Sequence, residues 1–269
     1  MTRNLRSYDV LGNIAILKFN RGDSLSIKKK RAKKILEENK GVRTVLEKSD
    51  KIKGRLRKAA TKYIAGENTK EVLYKENGCL FRFNVDSSYF SPRLSNERKE
   101  ISSLIGKGKK GDCILVMFAG VSPYSIVIAK NCKNVKVVSV ELNKEANNYA
   151  EMNVLRNKLK DKVEVVQGDV KRVIPKFVKQ RRKFDYIVMP RPQLKEDFLK
   201  EAFAISRSGK NGTRIFYYDF CDSGEIEGVI SKIKQRARES KVKIKILRQK
   251  VAGEIGNKRI RLRVDIRLV

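Results

Sequence analysis

Residues 113–124 read Cys-Ile-Leu-Val-Met-Phe-Ala-Gly-Val-Ser-Pro-Tyr, and this stretch decides the fold of the chain. Its first six residues are apolar, and a short unbroken apolar run is typical of a strand buried on both faces. The small residues Ala119 and Gly120 then predict a turn that lets a ligand approach the backbone closely. Because a helix-like run follows at once, the stretch predicts the first β-α unit of a parallel sheet.

The sequence beyond this stretch repeats the same alternation of strand and helix. Strand-like runs cover residues 113–118, 135–140, 163–166, 186–189 and 214–220, and helix-like runs cover residues 124–130, 144–157, 170–179, 194–206 and 224–240. Two β-rich runs, 242–251 and 259–269, then predict an antiparallel hairpin. Five β-α units closed by a hairpin are the layout of the class I methyltransferase (Rossmann-like) fold. We therefore expect an α/β domain with a seven-stranded sheet over residues 86–269.

The preceding residues, 1–85, predict a small α+β domain. Alternating apolar residues around Gly12-Asn13 predict two short strands joined by a turn within residues 8–19. A basic helix is expected over 26–38, followed by extended stretches at 42–46, 71–74 and 79–85. Given its charge, we expect this domain to contact a nucleic acid.

The composition excludes several kinds of chemistry. The 269 residues contain no histidine, so a Ser-His-Asp triad, a histidine-ligated metal and an imidazole base are all excluded. The four cysteines are widely spaced, which disfavours a zinc or disulfide framework, and we expect no metal. The longest apolar run covers residues 113–121 and is far shorter than the roughly 18 residues of a membrane span. The N-terminus also lacks the apolar core of a secretory signal, so a cytoplasmic protein that does not bind membranes is expected.

Positive charge dominates the chain. There are 63 Lys and Arg residues against 30 Asp and Glu residues, which gives a formal net charge of +33. The cations cluster within residues 28–34, 51–58 and 176–183. Because each neutralised phosphate releases condensed counterions, such a surplus favours a polyanionic partner. The composition thus predicts a nucleic acid or a nucleic-acid-like substrate.

Three segments are expected to meet at the carboxyl edge of the sheet, where open α/β sheets bind ligands. The first is the small-residue turn from Phe118 to Tyr124. The second is Glu141, which ends the second strand of the predicted sheet and can accept hydrogen bonds from both hydroxyls of a ribose. The third is Gly168-Asp169, where a carboxylate can accept a hydrogen bond from the amino group of adenine. Their order and spacing favour a nucleoside cofactor, and the absence of G-x-G-x-x-G disfavours a dinucleotide.

Several motifs resemble the archaeal and eukaryotic tRNA (guanine-37 N1)-methyltransferase family and its relatives in wyosine biosynthesis. The most specific are Phe-Ser-Pro-Arg-Leu-Ser-Asn-Glu-Arg at 90–98 and Met-Phe-Ala-Gly-Val-Ser-Pro-Tyr at 117–124. Weaker ones lie at 7–18, 64–69, 76–78, 141–143 with Asn153 and Asn157, and 217–220. The resemblance runs in order over almost the whole chain.

The resemblance implies S-adenosylmethionine as cofactor and a tRNA nucleoside at position 37, beside the anticodon, as methyl acceptor. The residues it assigns to the cofactor site are Phe118, Ala119, Gly120, Val121, Tyr124, Glu141, Leu142, Asp169 and Val170. Arg93 would lie near the target base, where its guanidinium can stabilise charge that develops on O6 when N1 attacks the methyl group. Glu97 is the candidate acceptor of the N1 proton, with a structural charge at a helix start as the alternative reading. We expect a monomer.

The chain departs from the family pattern at three places. Val116 stands where an acid is expected, Ser122 replaces the second glycine of the cofactor turn, and Pro190-Arg191-Pro192 replaces the usual Asn-Leu-Pro. The last change removes an amide that can hold the target base and introduces a cation, so an altered substrate preference or weaker ordinary methylation is expected. The additional N-terminal domain of many relatives is expected to be missing, since the resemblance begins near residue 7.

Two alternatives to methyl transfer stay open. One is the related transfer of the aminocarboxypropyl group of the same cofactor onto a wyosine precursor, against which Pro123 argues, because that branch tends to carry Tyr there. The other is a catalytically silent RNA-binding relative, which the departures at Val116, Ser122 and Pro190 motivate. Within the leading hypothesis, the methylated atom is N1 of guanosine, C7 of the tricyclic wyosine precursor, or both.

Overall fold

The computed structural model describes residues 8–49, 60–106 and 111–269, which form two compact units that divide between Pro92 and Arg93. The division lies seven residues after the predicted boundary at 85/86. Phe90 explains the difference, because its ring stacks on Phe83 at 4.8 Å between centroids and meets Tyr74 at 5.0 Å. Residues up to Pro92 therefore belong with the first unit. The predicted basic group at 51–58 lies outside the described residues.

Within its described residues, the first unit has a four-stranded sheet, one helix and a separate hairpin. Its elements are β1 (Asp9–Leu11), β2 (Ile14–Leu17), α1 (Leu25–Glu38), β3 (Thr44–Lys48), β4 (Thr61–Gly66), β5 (Glu71–Glu76) and β6 (Cys79–Asn84). The sheet order is β1-β2-β3-β4, with β2 and β3 parallel across the α1 crossover. The expected turn between β1 and β2 is present, with Gly12 at φ +55. A Cβ there would lie 1.8 Å from the Leu73 carbonyl oxygen, so only glycine fits.

Helix α1 packs on this sheet through a narrow apolar face. Ser24 caps its start by accepting a hydrogen bond from the Ile27 N–H at 3.3 Å. Ala32 and Ile35 are fully buried against Val45 and its neighbours, whereas Lys29 and Lys30 are exposed. The predicted basic helix is therefore present, with its cations mostly in solvent.

The second unit contains seven strands and six helices within its described residues. They are α2 (Ser95–Gly106), β7 (Cys113–Met117), α3 (Pro123–Asn131), β8 (Lys136–Glu141), α4 (Lys144–Arg156), β9 (Val163–Gln167), α5 (Val170–Lys179), β10 (Tyr186–Met189), α6 (Leu199–Ala204), β11 (Arg214–Asp222), α7 (Ile226–Glu239), β12 (Ile244–Gly256) and β13 (Arg259–Leu268). The order is β12-β13-β11-β10-β7-β8-β9, and β13 is antiparallel to both of its neighbours. The expected α/β fold with a seven-stranded sheet is confirmed.

The direction of chain progression through this sheet reverses between β7 and β10, which lie side by side. Leu115 and Met117 of β7 point into the core that helices α5, α6 and α7 cover. Ile114 and Val116 alternate with them and are also fully buried, as expected for a strand covered on both faces. Val116, the position of the missing acid, thus packs as an ordinary core residue.

Strand β12 forms one edge of the sheet and is irregular along its whole length. Its register with β13 shifts between Ile246 and Arg248, between Val251 and Gly253, and between Glu254 and Gly256. Each shift inserts one extra residue on β12, which bends and twists a strand locally. No helix among residues 8–49, 60–106 and 111–269 is long and apolar enough to span a membrane.

Candidate active site

The turn that follows β7 has an unusual backbone. Phe118, Gly120 and Ser122 all adopt left-handed conformations, with φ of +57, +56 and +63. The Ala119 N–H donates to the Val140 carbonyl of β8 at 3.0 Å, and Asn153 Nδ2 donates to the Val121 carbonyl at 3.4 Å. We call residues 118–122 the cofactor turn; neighbouring elements hold its backbone at several points.

Ser122 explains how this chain tolerates the loss of a glycine. A left-handed non-glycine residue costs about 1–2 kcal/mol. The Ser122 hydroxyl lies 2.6 Å from the Ser139 hydroxyl of β8, and the Ser125 hydroxyl donates to Ser139 at 2.9 Å. All three serines are buried, and buried hydrogen bonds of this kind contribute about 1 kcal/mol each. This serine cluster therefore offsets the strain at Ser122.

Glu141 joins the cofactor turn to the end of β8. Its Oε2 accepts the Gly120 N–H and its Oε1 accepts the Asn143 N–H, each at 2.7 Å. Burial raises the pKa of this carboxyl above its usual value, although the backbone N–H groups of Asn143 and Gly120 oppose the rise. A carboxylate oxygen can accept a second hydrogen bond, so Glu141 keeps acceptor capacity for ligand hydroxyls.

Asp169 lies at the end of the neighbouring strand and caps α5. It accepts the Lys171 N–H at 2.9 Å, and the preceding Gly168 N–H donates to the Glu141 carbonyl at 2.8 Å. The cofactor turn, Glu141 and Asp169 therefore meet at the carboxyl edge of the sheet, as the sequence predicts. The Val170 side chain lies in the apolar core and Leu142 is half-buried. The ligand-binding roles of all nine predicted cofactor residues stay predictions.

Tyr124 links the cofactor turn to β11. Its buried hydroxyl donates to the Tyr218 hydroxyl at 3.4 Å, and Tyr218 donates to Glu97 Oε1 at 2.7 Å. Burial raises the pKa of Tyr124 to about 12 and that of Tyr218 well above its usual value, so both hydroxyls stay protonated at neutral pH.

Glu97, on α2, lies at the centre of a cluster of charged side chains from α2, β12 and β13. Besides Tyr218, its carboxylate receives Arg263 NH1 at 2.6 Å and Lys250 Nζ at 3.0 Å. Arg263 also binds Glu100 and Asp265, each at 2.8 Å. A carboxylate with these partners has an evident structural role. The role of Glu97 as proton acceptor stays a prediction.

Arg93 is the first residue of the second unit and lies in a 3-10 turn, Pro92–Leu94, directly before α2. Its side chain is exposed, whereas the following Leu94 is buried. The exposed guanidinium is compatible with contact to a large substrate. Its role beside the target base stays a prediction.

Arg191 corrects one sequence-based expectation. The Pro-Arg-Pro segment does not add an exposed cation, because the Arg191 side chain is 2% exposed and bound to Asp219 of β11. At the far end of the same loop, the ring of Phe198 meets the ring of Phe118 edge-on, with 4.8 Å between centroids. Neither contact could be read from local sequence, since both join residues distant along the chain.

The second unit has a seven-stranded sheet of this order, a fixed turn after β7, and the acids Glu141 and Asp169 at the ends of β8 and β9. These features define a class I methyltransferase with a nucleoside cofactor site. A family model described as the TRM5/TYW2 methyltransferase domain matches residues 72–245, and one described as the TYW2 N-terminal domain matches residues 1–69. The chain belongs to the TRM5/TYW2 methyltransferase family. The resemblance drawn from the motifs is thereby confirmed.

Three relatives illustrate the similarity. The tRNA (guanine(37)-N(1))/4-demethylwyosine(37)-methyltransferase Taw22 of Nanoarchaeum equitans is 33% identical, across 98% of this chain and 100% of its own. The crystal structure of Trm5b from Pyrococcus abyssi is 31% identical with a TM-score of 0.81, covering 97% of this chain and 74% of that one. A complex of aTrm5 with tRNALeu is 26% identical, also with a TM-score of 0.81, covering 98% and 72%.

Proposed function

We propose that this protein transfers the methyl group of S-adenosylmethionine to position 37 of tRNA, on N1 of guanosine. One observation carries the proposal: the chain aligns over nearly its full length with the Nanoarchaeum equitans methyltransferase, and its cofactor turn, Glu141 and Asp169 lie together at the carboxyl edge. This pairing of family and site argues against a silent relative.

The residues present fit the cofactor. Glu141 keeps acceptor capacity for ribose hydroxyls, and Asp169 can accept a hydrogen bond from the adenine amino group. When bound, S-adenosylmethionine supplies an electrophilic methyl group. By the family resemblance, the cofactor turn would line its methionine side.

Two residues are proposed to act on the target base. The Arg93 guanidinium donates hydrogen bonds to O6 as negative charge develops there. Glu97 is the candidate proton acceptor, and its buried charge cluster makes a direct test necessary. If Glu97 accepts the proton, Glu97→Gln lowers the single-turnover rate and removes its acid-side pH dependence. If its role is structural, Glu97→Gln lowers thermal stability and leaves the pH dependence of the residual rate unchanged.

Two further activities at position 37 have specific support. The double name of the Nanoarchaeum equitans relative favours additional methylation of a wyosine precursor, at C7 in our proposal. The match of residues 1–69 to the TYW2 N-terminal domain favours aminocarboxypropyl transfer, against which Pro123 argues. Cytoplasmic localisation, a monomeric state and the absence of a metal stay predictions.

Nucleoside mass spectrometry tests these activities together. The protein and S-adenosylmethionine are incubated with a tRNA transcript that carries guanosine at position 37, and with a matched transcript that carries adenosine there. We expect 1-methylguanosine from the first transcript and no product from the second. Precursor-bearing tRNA would yield a methyl or an aminocarboxypropyl product, which differ in mass. Absence of any product, together with no calorimetric binding of S-adenosylmethionine, would refute the proposal.

A further inference from the structure

The loop between β10 and α6, residues 190–198, is folded around one buried side chain. The Arg191 guanidinium donates from Nε to the Tyr218 carbonyl at 3.0 Å and from NH1 to the carbonyls of Leu194 and Glu196 at 2.9 and 2.8 Å. Its NH2 binds the carboxylate of Asp219. Four of its five N–H donors are thus engaged within the protein. The Arg191 side chain therefore holds the loop from inside the fold and does not point to a substrate.

Asp219, on β11, is the carboxylate partner of Arg191. Burial favours the neutral acid, but the charge of Arg191 and the hydrogen bond from the Phe220 N–H outweigh it and lower the pKa of this carboxyl. The Tyr217 hydroxyl donates to the same carboxylate at 2.9 Å. Asp219 is therefore ionised at neutral pH. Removal of Arg191 would leave it with the partly exposed Lys232, at 3.4 Å, as cationic partner, and removal of Asp219 would leave the buried guanidinium without its carboxylate.

The start of the loop can donate few backbone hydrogen bonds of its own. Pro190 and Pro192 have no N–H group, and the Arg191 N–H donates to the Met189 carbonyl at 2.7 Å. Because so few backbone donors are available, the guanidinium supplies most of the hydrogen bonds that shape this segment. The conformation of the loop thus depends on Arg191.

The far end of the loop reaches the cofactor turn. Asp197 caps α6 by accepting the Leu199 N–H at 3.1 Å, and the left-handed Phe198 places its buried ring 4.8 Å from that of Phe118. Phe118 is the first residue of the cofactor turn and is itself left-handed. A loop held by Arg191 at one end therefore supports the cofactor turn at the other.

We propose that Arg191 is a positioning residue for cofactor binding: with Asp219 it holds the loop whose Phe198 supports Phe118. This inference rests on the proposed function, because it takes residues 118–122 to contact S-adenosylmethionine. It also gives the Pro-Arg-Pro departure a structural consequence, since the Arg191 guanidinium supplies hydrogen bonds in a segment where Pro190 and Pro192 have no N–H group.

A double-mutant cycle tests the proposal. The dissociation constant of S-adenosylmethionine is measured by calorimetry for the wild type, Arg191→Met, Phe198→Leu and the double variant. We expect a loss of affinity of 10-fold or more for Arg191→Met and a smaller loss for Arg191→Lys, which keeps a charge beside Asp219 without reaching all the carbonyls. The double variant should bind about as weakly as the weaker single variant, because both act through Phe118.

Two readouts separate positioning from general damage. Affinity for tRNA should stay within twofold of the wild type in every variant. The matched control is Arg207→Met, which removes a partly exposed ion pair with Asp185 outside the named basic clusters and should leave cofactor affinity unchanged. If Arg191→Met fails to fold, Arg191→Lys replaces it in the cycle.

Three results would overturn the inference. The first is an Arg191 variant with wild-type cofactor affinity, and the second is a double variant whose losses multiply. The third is a parallel loss of cofactor affinity, tRNA affinity and thermal stability, which marks a purely structural role. A wild-type protein that fails to bind S-adenosylmethionine would instead contradict the proposed function, so the two failures are distinguishable.

Discussion

The hydroxyl oxygens of Ser122 and Ser139 lie 2.6 Å apart in the interior, beside the left-handed backbone of Ser122. This contact ties the cofactor turn to β8. Replacement of Ser139 by alanine leaves the Ser122 and Ser125 hydroxyls without this shared partner. We expect Ser139→Ala to lower the free energy of unfolding by about 1–3 kcal/mol in urea denaturation.

Ser103→Ala is the matched control, because its exposed hydroxyl donates only to the local Lys99 carbonyl. It should change stability by less than about 0.5 kcal/mol. Ser122→Gly should be near neutral, since relief of left-handed strain offsets the lost hydrogen bond. A Ser139→Ala protein as stable as the wild type would show that the serine cluster contributes nothing.

The second prediction concerns Glu141. Glu141→Ala removes the acceptor for Gly120 and Asn143 and, in the proposed complex, for the ribose. We expect cofactor binding to weaken by about 1.5–3 kcal/mol, the range for hydrogen bonds to a charged group, as measured by calorimetry. Glu164→Ala, which removes an exposed carboxylate of the neighbouring strand β9, should bind normally. An unchanged dissociation constant for Glu141→Ala would remove Glu141 from the cofactor site.

The third prediction concerns stability in acid. Burial opposes ionisation of Glu100, but hydrogen bonds and charges from Lys250 and Arg263 outweigh it and lower its pKa from 4.5 to about 2. The unfolded chain therefore binds the proton first, so this contribution is complete above pH 4.5 and is lost as pH falls toward about 2. Glu100→Gln should flatten the decline of the unfolding free energy across this window.

Glu37→Gln, at an exposed position of α1, serves as the control and should keep the wild-type decline. The measurement is chemical denaturation at several pH values at constant ionic strength. If Glu100→Gln loses stability in acid as steeply as the wild type, other carboxylates account for the decline.

The fourth prediction concerns Arg93. If its guanidinium stabilises charge on the target base, Arg93→Ala should lower the single-turnover rate by roughly 10²- to 10³-fold and leave cofactor affinity unchanged. Arg93→Lys should not restore the rate fully, because a point charge cannot replace a planar donor fork. Lys99→Ala, which removes another exposed cation of the same segment, should methylate normally. An Arg93→Ala protein with a normal rate would exclude Arg93 from the reaction.

The fifth prediction concerns the cations of α1, which are not equivalent. Lys28 is bound to Glu47 at 2.6 Å, whereas Lys29 and Lys30 are exposed. If both exposed lysines contact tRNA phosphates, the Lys29→Gln/Lys30→Gln variant should reduce the slope of log affinity against log salt by about 1.4–1.8. Lys28→Gln should change the slope far less. Equal slopes for the wild type and the double variant would make α1 an ordinary solvated helix.

Local sequence patterns were sufficient for most of the fold but not for β4. In the pairing of β3 with β4, Val45 faces Ala65 and Leu46 faces Tyr63, so Ile64 is an extra residue in a bulge. A bulge breaks the two-residue alternation that identifies a strand in sequence. Thr61–Gly66 was therefore not predicted as a strand.

Helices α2 and α6 show how long-range contacts override local patterns. The buried face of α2 includes Glu97 and Arg98, so the helix lacks the expected apolar stripe, and its structure depends on distant Arg263 and Lys250. The predicted helix 194–206 is observed as Leu199–Ala204, because Arg191 binds the carbonyls of residues 194 and 196. That the cofactor turn, Glu141 and Asp169 lie together was predictable, because they follow three consecutive strands, β7, β8 and β9, whose carboxyl ends share one edge of the sheet.

The edge strand β12 bears on strand pairing between copies of the chain. It is 13 residues long, forms a sheet edge and exposes Leu247, Val251 and Ile255. A straight edge with these side chains would be a template for pairing with a second chain, which is a common route to aggregation. Its three register shifts interrupt the row of backbone donors and acceptors, and the exposed Lys245 adds charge. The irregular edge of β12 therefore disfavours the addition of a second chain to this side of the sheet.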